Sequence, residues 1–240
     1  LNIGMSVTQN IINTSNKKIE KYFVEKGFLN AKCESDMITD SLNNNRVLLN
    51  FNIQKNNRIK IDEIMFLGNQ NIKSSKLKRM MRNTREQSLR YLLSSSKLIQ
   101  NNYIDDLESV KAFYQKNGYR DIKIVSDSIF LNEKDKLVIN IEVSEGEKYF
   151  FGDISFLGNK KYDSEALMTI LGIKRGDVFD TSLLDERLNM SRNGDDISAL
   201  YMDDGYLFFQ INPIETSIED NNHINLELQI IEGKQATIKN

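Results

Sequence analysis

The chain has 240 residues, 28% of them charged, with a formal net charge of -2, one cysteine and one histidine. No apolar run approaches eighteen residues, which excludes a membrane-spanning helix within these residues and fits a soluble, ordered chain. The lone cysteine excludes an internal disulfide, and no signal peptide is visible.

In residues 1–57 a helix carrying Ile19, Tyr22 and Phe23 ends at Gly27-Phe28. Glycine adopts the left-handed backbone that stops a helix, and the next residue folds back onto the side chain four positions before the glycine. The expected contact is Phe28 on Phe23. Two strands follow, with Ala31 and Cys33 inward in the first and Val47, Leu49, Phe51 and Ile53 inward in the second at strict period two. Cys33 therefore reads as a small core residue, not a reactive thiol.

Residues 58–146 open with a strand pattern at Ile59, Ile61, Ile64 and Phe66, whose phase slips near Asp62 and predicts a β-bulge. Gly68-Asn69 is a turn signal, Ser74 offers a helix N-cap oxygen, and Leu77, Met80 and Met81 fall at helical spacing. After a long stretch, 82–102, a second helix with Val110, Phe113 and Tyr114 ends at Gly118-Tyr119. The strands behind it point Ile122 and Ile124, then Leu137, Ile139, Ile141 and Val143, to one side.

Residues 147–234 repeat this plan. Phe66-Leu67-Gly68-Asn69 returns as Phe156-Leu157-Gly158-Asn159, and the slipped strand returns as Tyr149, Phe151, Ile154 and Phe156 with its bulge near Asp153. Ser164, Leu167, Ile170 and Leu171 match the first helix, and Ile197, Leu200, Tyr201, Gly205 and Tyr206 match the end of the second. Phe209 and Ile211, then Ile224, Leu226, Leu228 and Ile230, match the strands. Gln235–Asn240 begins the plan again, with Ala236 and Ile238 at the places of Tyr149 and Phe151.

The unit is thus β-α-α-β-β: an α+β fold in which a three-stranded mixed sheet has one apolar face, covered by two helices. The expected division is 1–57, the second half of a unit; 58–146 and 147–234, complete units; and 235–240, the start of another. The natural protein is expected to be longer on both sides. The joints at Glu145-Gly146 and Glu232-Gly233 hold no Pro-rich or Ser/Gly-rich linker, which favours an extended, semi-rigid string.

The β-α-α-β-β order, the strand-turn Phe-Leu-Gly-Asn, the aromatic-xxx-Gly-aromatic helix end and the joint Val143-Ser144-Glu145-Gly146 resemble POTRA domains, the polypeptide-transport-associated modules of BamA-type outer-membrane assembly factors. The resemblance covers essentially the whole chain. The long stretch 82–102 is similar to that of a third POTRA domain, which would make the copies the end of the second, the third and the fourth. It implies a periplasmic, non-enzymatic scaffold without cofactor. The implied partners are unfolded outer-membrane proteins, accessory subunits of the assembly complex and periplasmic chaperones, with the outer membrane reached through a C-terminal barrel beyond Asn240.

In the POTRA sheet the strand after the second helix lies at the edge, and Pro213 fits an edge because it lacks an N–H. A client segment could add there by β-augmentation. The resemblance places this edge at Arg120, Asp121, Ile122, Lys123, Ile124, Val125 and Ser126, with equivalents at 30–35 and 208–212. An edge blunted by its charges and serving only the fold is the competing reading.

A second candidate is electrostatic. From Gly68 to Ile104 stand Lys73, Lys76, Lys78, Arg79, Arg82, Arg85, Arg90 and Lys97 against Glu86 alone, whereas 177–220 holds eleven acids against Arg187 and Arg192. Lys76, Arg79, Arg82, Arg85 and Arg90 with Tyr91 and Leu92 form a candidate docking patch, for which a solvated helix face is the alternative. Enzyme signatures are absent: His223 sits beside a predicted hairpin turn, Asp195-Asp196 and Asp203-Asp204 read as solvated helix acids, and no phosphate loop or nucleophile motif occurs. Two other classes stay open, the POTRA arm of a two-partner-secretion or related translocation pore and a nucleic-acid-binding α/β module. The latter needs a basic, aromatic outer sheet face, while Asn140, Glu142, Asn225, Glu227 and Gln229 are neutral or acidic.

Overall fold

A computed structural model describes residues 6–39, 46–57, 59–87 and 98–237. The chain forms two compact units, one of residues 1–110 with 125–142 and the other of 111–124 with 143–240. The architecture is α+β, with small mixed sheets in tandem.

The first unit begins with helix α1 (Gln9–Glu25), capped by the Thr8 hydroxyl, which accepts the Ile11 N–H at 3.3 Å. Strands β1 (Lys32–Thr39) and β2 (Val47–Gln54) form an antiparallel pair with no third strand among the described residues. Cys33 is buried, as its pattern predicts. Its backbone N–H is held by Glu20 Oε1 at 3.0 Å, and burial, with Glu20 nearby, pushes the thiol pKa up. The second strand differs from expectation: Leu49 and Phe51 are half-buried, and Val47 and Ile53 are exposed.

Strand β3 (Ile61–Leu67) follows, then α2 (Ser74–Met80), α3 (Gln100–Lys116), β4 (Lys123–Leu131) and β5 (Leu137–Ser144). The sheet order is β3-β5-β4, with β3 parallel to the central β5 and a register shift between Ile61 and Glu63, where the bulge is predicted. Ile61, Ile64, Leu77, Met81, Val110, Ile139 and Ile141 are buried. These are the period-two and helical positions read from the sequence.

The second unit contains β6 (Phe150–Leu157), α4 (Ser164–Leu171), α5 (Thr181–Asp185) continuing into a π-helical turn at Glu186–Met190, α6 (Ile197–Asp203), β7 (Gln210–Ile218) and β8 (His223–Ile231). Its order is β6-β8-β7, β6 running parallel and β7 antiparallel to β8, with the predicted bulge between Phe151 and Ile154. Phe151, Leu167, Leu171, Tyr201, Leu226 and Leu228 anchor its core. The helical turns at 181–190 add to the two-helix plan. Asp180 caps them with bonds from Ser182 and Leu183, and Leu184 and Leu188 join the core.

One local expectation is corrected. Ser74 and Ser164 are not N-caps but first helical residues. Lys73 occupies the cap of α2 with no side-chain bond, and Asp163 caps α4 by accepting the Ala166 N–H at 2.8 Å. The serine hydroxyls are engaged by the turn asparagines. Asn69 Nδ2 donates to Ser74 Oγ at 3.0 Å and to the Ile72 carbonyl at 2.8 Å, and Asn159 does the same for Ser164 and Tyr162 at 3.3 and 3.0 Å. The repeated asparagine therefore ties strand to helix by its side chain.

Candidate functional site

Three helix ends share one geometry. Gly27, Gly118 and Gly205 have φ of 87°, 91° and 84°. After them the N–H groups of Phe28, Tyr119 and Tyr206 reach back to the carbonyls of Phe23, Tyr114 and Tyr201 at 3.0, 3.1 and 3.0 Å. The predicted ring pairs form edge-on, with centroids 6.1, 5.8 and 5.9 Å apart. This glycine-closed helix end fixes where the next strand starts.

It starts later than expected. β4 begins at Lys123, so Arg120, Asp121 and Ile122 precede the strand. Ile122 is buried, and Arg120 is already engaged. Its Nη1 donates to Glu215 at 2.8 Å and its guanidinium lies over the Tyr149 ring at 5.2 Å, while the Tyr149 hydroxyl donates to Asp121 at 2.8 Å. The strand residues are Lys123, Ile124, Val125 and Ser126, continuing to Leu131. In the other copies the strands likewise begin at Lys32 and Gln210, not at 30 and 208.

Among the described residues β4 pairs with β5 alone and β7, which holds Pro213, with β8 alone. One row of backbone groups on each therefore has no strand partner. β4 carries accessible apolar side chains: Val125 is 59% exposed, Ile129 40%, Phe130 45% and Leu131 47%. Beside it an apolar cavity of about 320 Å³ is lined by Val24, Leu29, Leu98, Tyr103, Ile104, Leu107 and Ile129, with Asp127 at its polar side. The Tyr103 hydroxyl donates to Asp127 Oδ2 at 3.0 Å, and burial, then this bond, pushes the phenol pKa up. Sequence reasoning passes over this groove. Its only signal is Ile104, an exposed apolar residue beside Asp105 and Asp106.

The joint after residue 146 is built from the same helix end. Gly118 accepts the Tyr149 N–H at 2.9 Å, and a Cβ on Gly118 would meet the Tyr149 carbonyl at 2.8 Å. The next copy makes the same bond, with the Ala236 N–H on the Gly205 carbonyl at 2.8 Å. The glutamates before each joint glycine take the hydroxyls of the capping tyrosines: Tyr114 donates to Glu145 at 2.9 Å and Tyr201 to Glu232 at 3.1 Å. Glu232 also accepts the N–H groups of Lys160 and Lys161, both at 2.7 Å. Burial would raise its pKa, but these backbone bonds and the tyrosine hold it below the ordinary value.

The cationic candidates divide. Lys76, Arg79 and Arg82 are exposed and Arg85 is half-buried, its Nε donating to the Arg82 carbonyl at 2.8 Å. Arg90, Tyr91 and Leu92 lie outside the described residues. Lys78 turns inward to Glu86 at 2.7 Å, and Glu86 also takes the Ile64 N–H at 2.8 Å.

Of the paired acids, Asp195, Asp196 and Asp204 do structural work. Asp196 caps α6 through Ala199, Asp204 takes the Tyr162 hydroxyl and Lys161, and Asp195 binds Ser191. His223 opens β8 and stacks on Phe150 at 5.5 Å, while Arg175 pairs with Asp153 and Glu219 at 3.0 and 2.6 Å. Among the described residues no group of three or more His, Cys, Asp or Glu side chains could hold a metal, and no helix is long and apolar enough to cross a membrane.

The sequence pattern of the POTRA family, described as the surface antigen variable number repeat, matches residues 59–146 and 149–233. The outer membrane protein assembly factor BamA of Neisseria meningitidis serogroup B is 28% identical over 232 residues, 96% of this chain and 28% of that one. BamA of Buchnera aphidicola is 27% identical over 189 residues, 78% of this chain and 30% of its own. The chain therefore spans under a third of the length of these relatives. The crystal structure of the third to fifth POTRA domains of Haemophilus influenzae BamA superposes with a TM-score of 0.53 at 24% identity, covering 75% of this chain and 69% of that one.

Proposed function

The chain belongs to the POTRA family, in the form carried by BamA-type proteins, and on that premise we propose that it is part of the periplasmic scaffold of an outer-membrane β-barrel assembly machine. Residues 1–57 then form the second half of one domain, 58–146 and 147–234 two complete domains, and 235–240 the start of another, read as the second to fourth. Its partners are unfolded outer-membrane proteins and accessory subunits of the machine.

The observation that carries the reading is that, among the described residues, β4 pairs with β5 alone, beside exposed Val125 and Ile129. An incoming extended segment adds to β4 through main-chain hydrogen bonds, which ignore its side-chain sequence and suit clients that share only β-strand character. At roughly 0.5–1.5 kcal/mol net per bond, four or five bonds minus the ordering cost leave weak binding, and several edges in series raise occupancy through effective concentration. Weak sites release the client to the next step. No proton or electron moves, and no cofactor is required.

The test is photo-crosslinking from Val125 and Ile129 of the full-length protein in cells. Newly exported outer-membrane proteins should be captured at both positions and lost when a proline replaces Lys123 or Ile124, whichever N–H faces outward. Unchanged capture in a proline variant that remains folded removes the reading.

A further inference from the structure

The two complete copies share a backbone plan, so each serves as a control for the other: side chains the fold needs recur, and side chains that do not recur answer to something else. Charge on the first helix is the largest departure. Residues 64–85 hold six cations, Lys73, Lys76, Lys78, Arg79, Arg82 and Arg85, and no acid. At the places of Lys73, Lys76, Arg79 and Arg82 the second unit has Asp163, Ala166, Thr169 and Gly172.

The fold is better served by the second set. Asp163 caps α4 and Glu165 stands in its first turn, favourable beside a helix N-terminus. α2 has Lys73 at its cap with no side-chain bond and Lys76 but no acid in its first turn, so these two cations oppose the helix dipole, whereas Arg79 stands in the last turn, where the dipole favours it. A local rule broken without benefit to the fold marks a functional position. Among the described residues none of Lys73, Lys76, Arg79 or Arg82 is ion-paired, and all four are exposed.

We infer that this cationic face, Lys73, Lys76, Arg79 and Arg82, is a docking surface for a carboxylate-rich protein segment, separate from the β4 edge. It gives chemistry to the accessory-subunit docking proposed above and rests on that reading only there. Two arginines three residues apart present planar forks that match carboxylates bidentately, with lysines as flanking point charges. A lipid surface fits less well. A helix lying on a membrane inserts an exposed apolar face, whereas Leu77 and Met81 are both fully buried.

The test is an NMR titration of the chain with poly-L-glutamate at low and high salt, repeated on the Arg79→Glu, Arg82→Glu double variant and on its milder Arg79→Gln, Arg82→Gln counterpart. Shift changes should gather at residues 73–82, weaken with salt, and need about tenfold or more higher poly-glutamate in the reversed variant. Val125 crosslinking to client should survive that variant, which separates failure here from failure of the edge. Unchanged affinity in both variants overturns the inference. So does binding to phosphatidylglycerol vesicles that exceeds binding to poly-glutamate and is lost in the same variants.

Discussion

The central strand of the last sheet and its counterpart in the first hairpin obey the same sequence pattern but sit differently. In β8, Ile224, Leu226, Leu228 and Ile230 are 0%, 2%, 0% and 6% exposed, whereas in β2 the equivalent Val47 is 37% and Ile53 41% exposed. The β8 side chains have a parallel strand, β6, on one flank and α4 and α6 over them; β2 has β1 alone among the described residues. Alternation of apolar residues thus specifies which face is inward, but burial also depends on the strand beside it and the helices over it.

The largest test of that difference is truncation at matched positions. Leu228→Ala should cost about 2–5 kcal/mol in urea unfolding, because its site is closed on all sides. The equivalent Phe51→Ala should cost less than half as much despite removing a larger side chain, since its site is already open to water. Equal costs would mean that β2 is as well packed as β8.

Next in size are the glycines. Gly118 and Gly176 have φ of 91° and 89°, but a Cβ on Gly118 meets the Tyr149 carbonyl at 2.8 Å and Val178 Cγ1 at 3.0 Å, while around Gly176 nothing lies within 4 Å. Gly176→Ala should therefore cost about 1 kcal/mol, the backbone strain alone. Gly118→Ala should cost roughly 2–3 kcal/mol, because the joint must also shift. Thermal unfolding of the two variants side by side measures the contribution of the joint contact.

The helix-end pairs sharpen the comparison by chemistry. Where the complete copies have Tyr114 with Glu145 and Tyr201 with Glu232, the first has Phe23 with Lys55, the ammonium 5.5 Å from the ring centroid. Loss of the phenol hydroxyl goes with loss of the acid. Glu232 has a depressed pKa, so its contribution is complete above the unfolded value near 4.3 and is lost as pH falls through its lower folded pKa. Protection factors at Lys160 and Lys161 should fall over that acid window, and Glu232→Gln should flatten the response.

The smallest effect expected is on stability from the cationic face. Arg79→Gln should change unfolding by less than about 0.5 kcal/mol, as for surface charges without partners. A loss comparable to that of Leu228→Ala would assign the residue to the fold and remove it from docking.

These contrasts show what the sequence makes legible. The three glycine-aromatic helix ends, both bulges and the inward rows of β5 and β8 follow from φ preference and period two, which act residue by residue. The candidate edge is legible as an edge but not in its start, because Arg120 and Asp121 are drawn into contacts with Glu215 and Tyr149 that lie far along the chain. The serine caps are displaced for a similar reason: Asn69 and Asn159 compete for the same hydroxyls from across the turn. The groove beside Ile129 needs three elements at once, and periodicity within one element does not report it.

The most direct measurement is amide hydrogen exchange along β4 in the presence and absence of an extended, alternating apolar peptide. The account predicts that alternate N–H groups between Lys123 and Leu131, exchanging freely without peptide because no strand faces them among the described residues, become protected when it is added, while β5 is unchanged. Protection of every β4 amide in the chain alone, or none gained at saturating peptide, would contradict it.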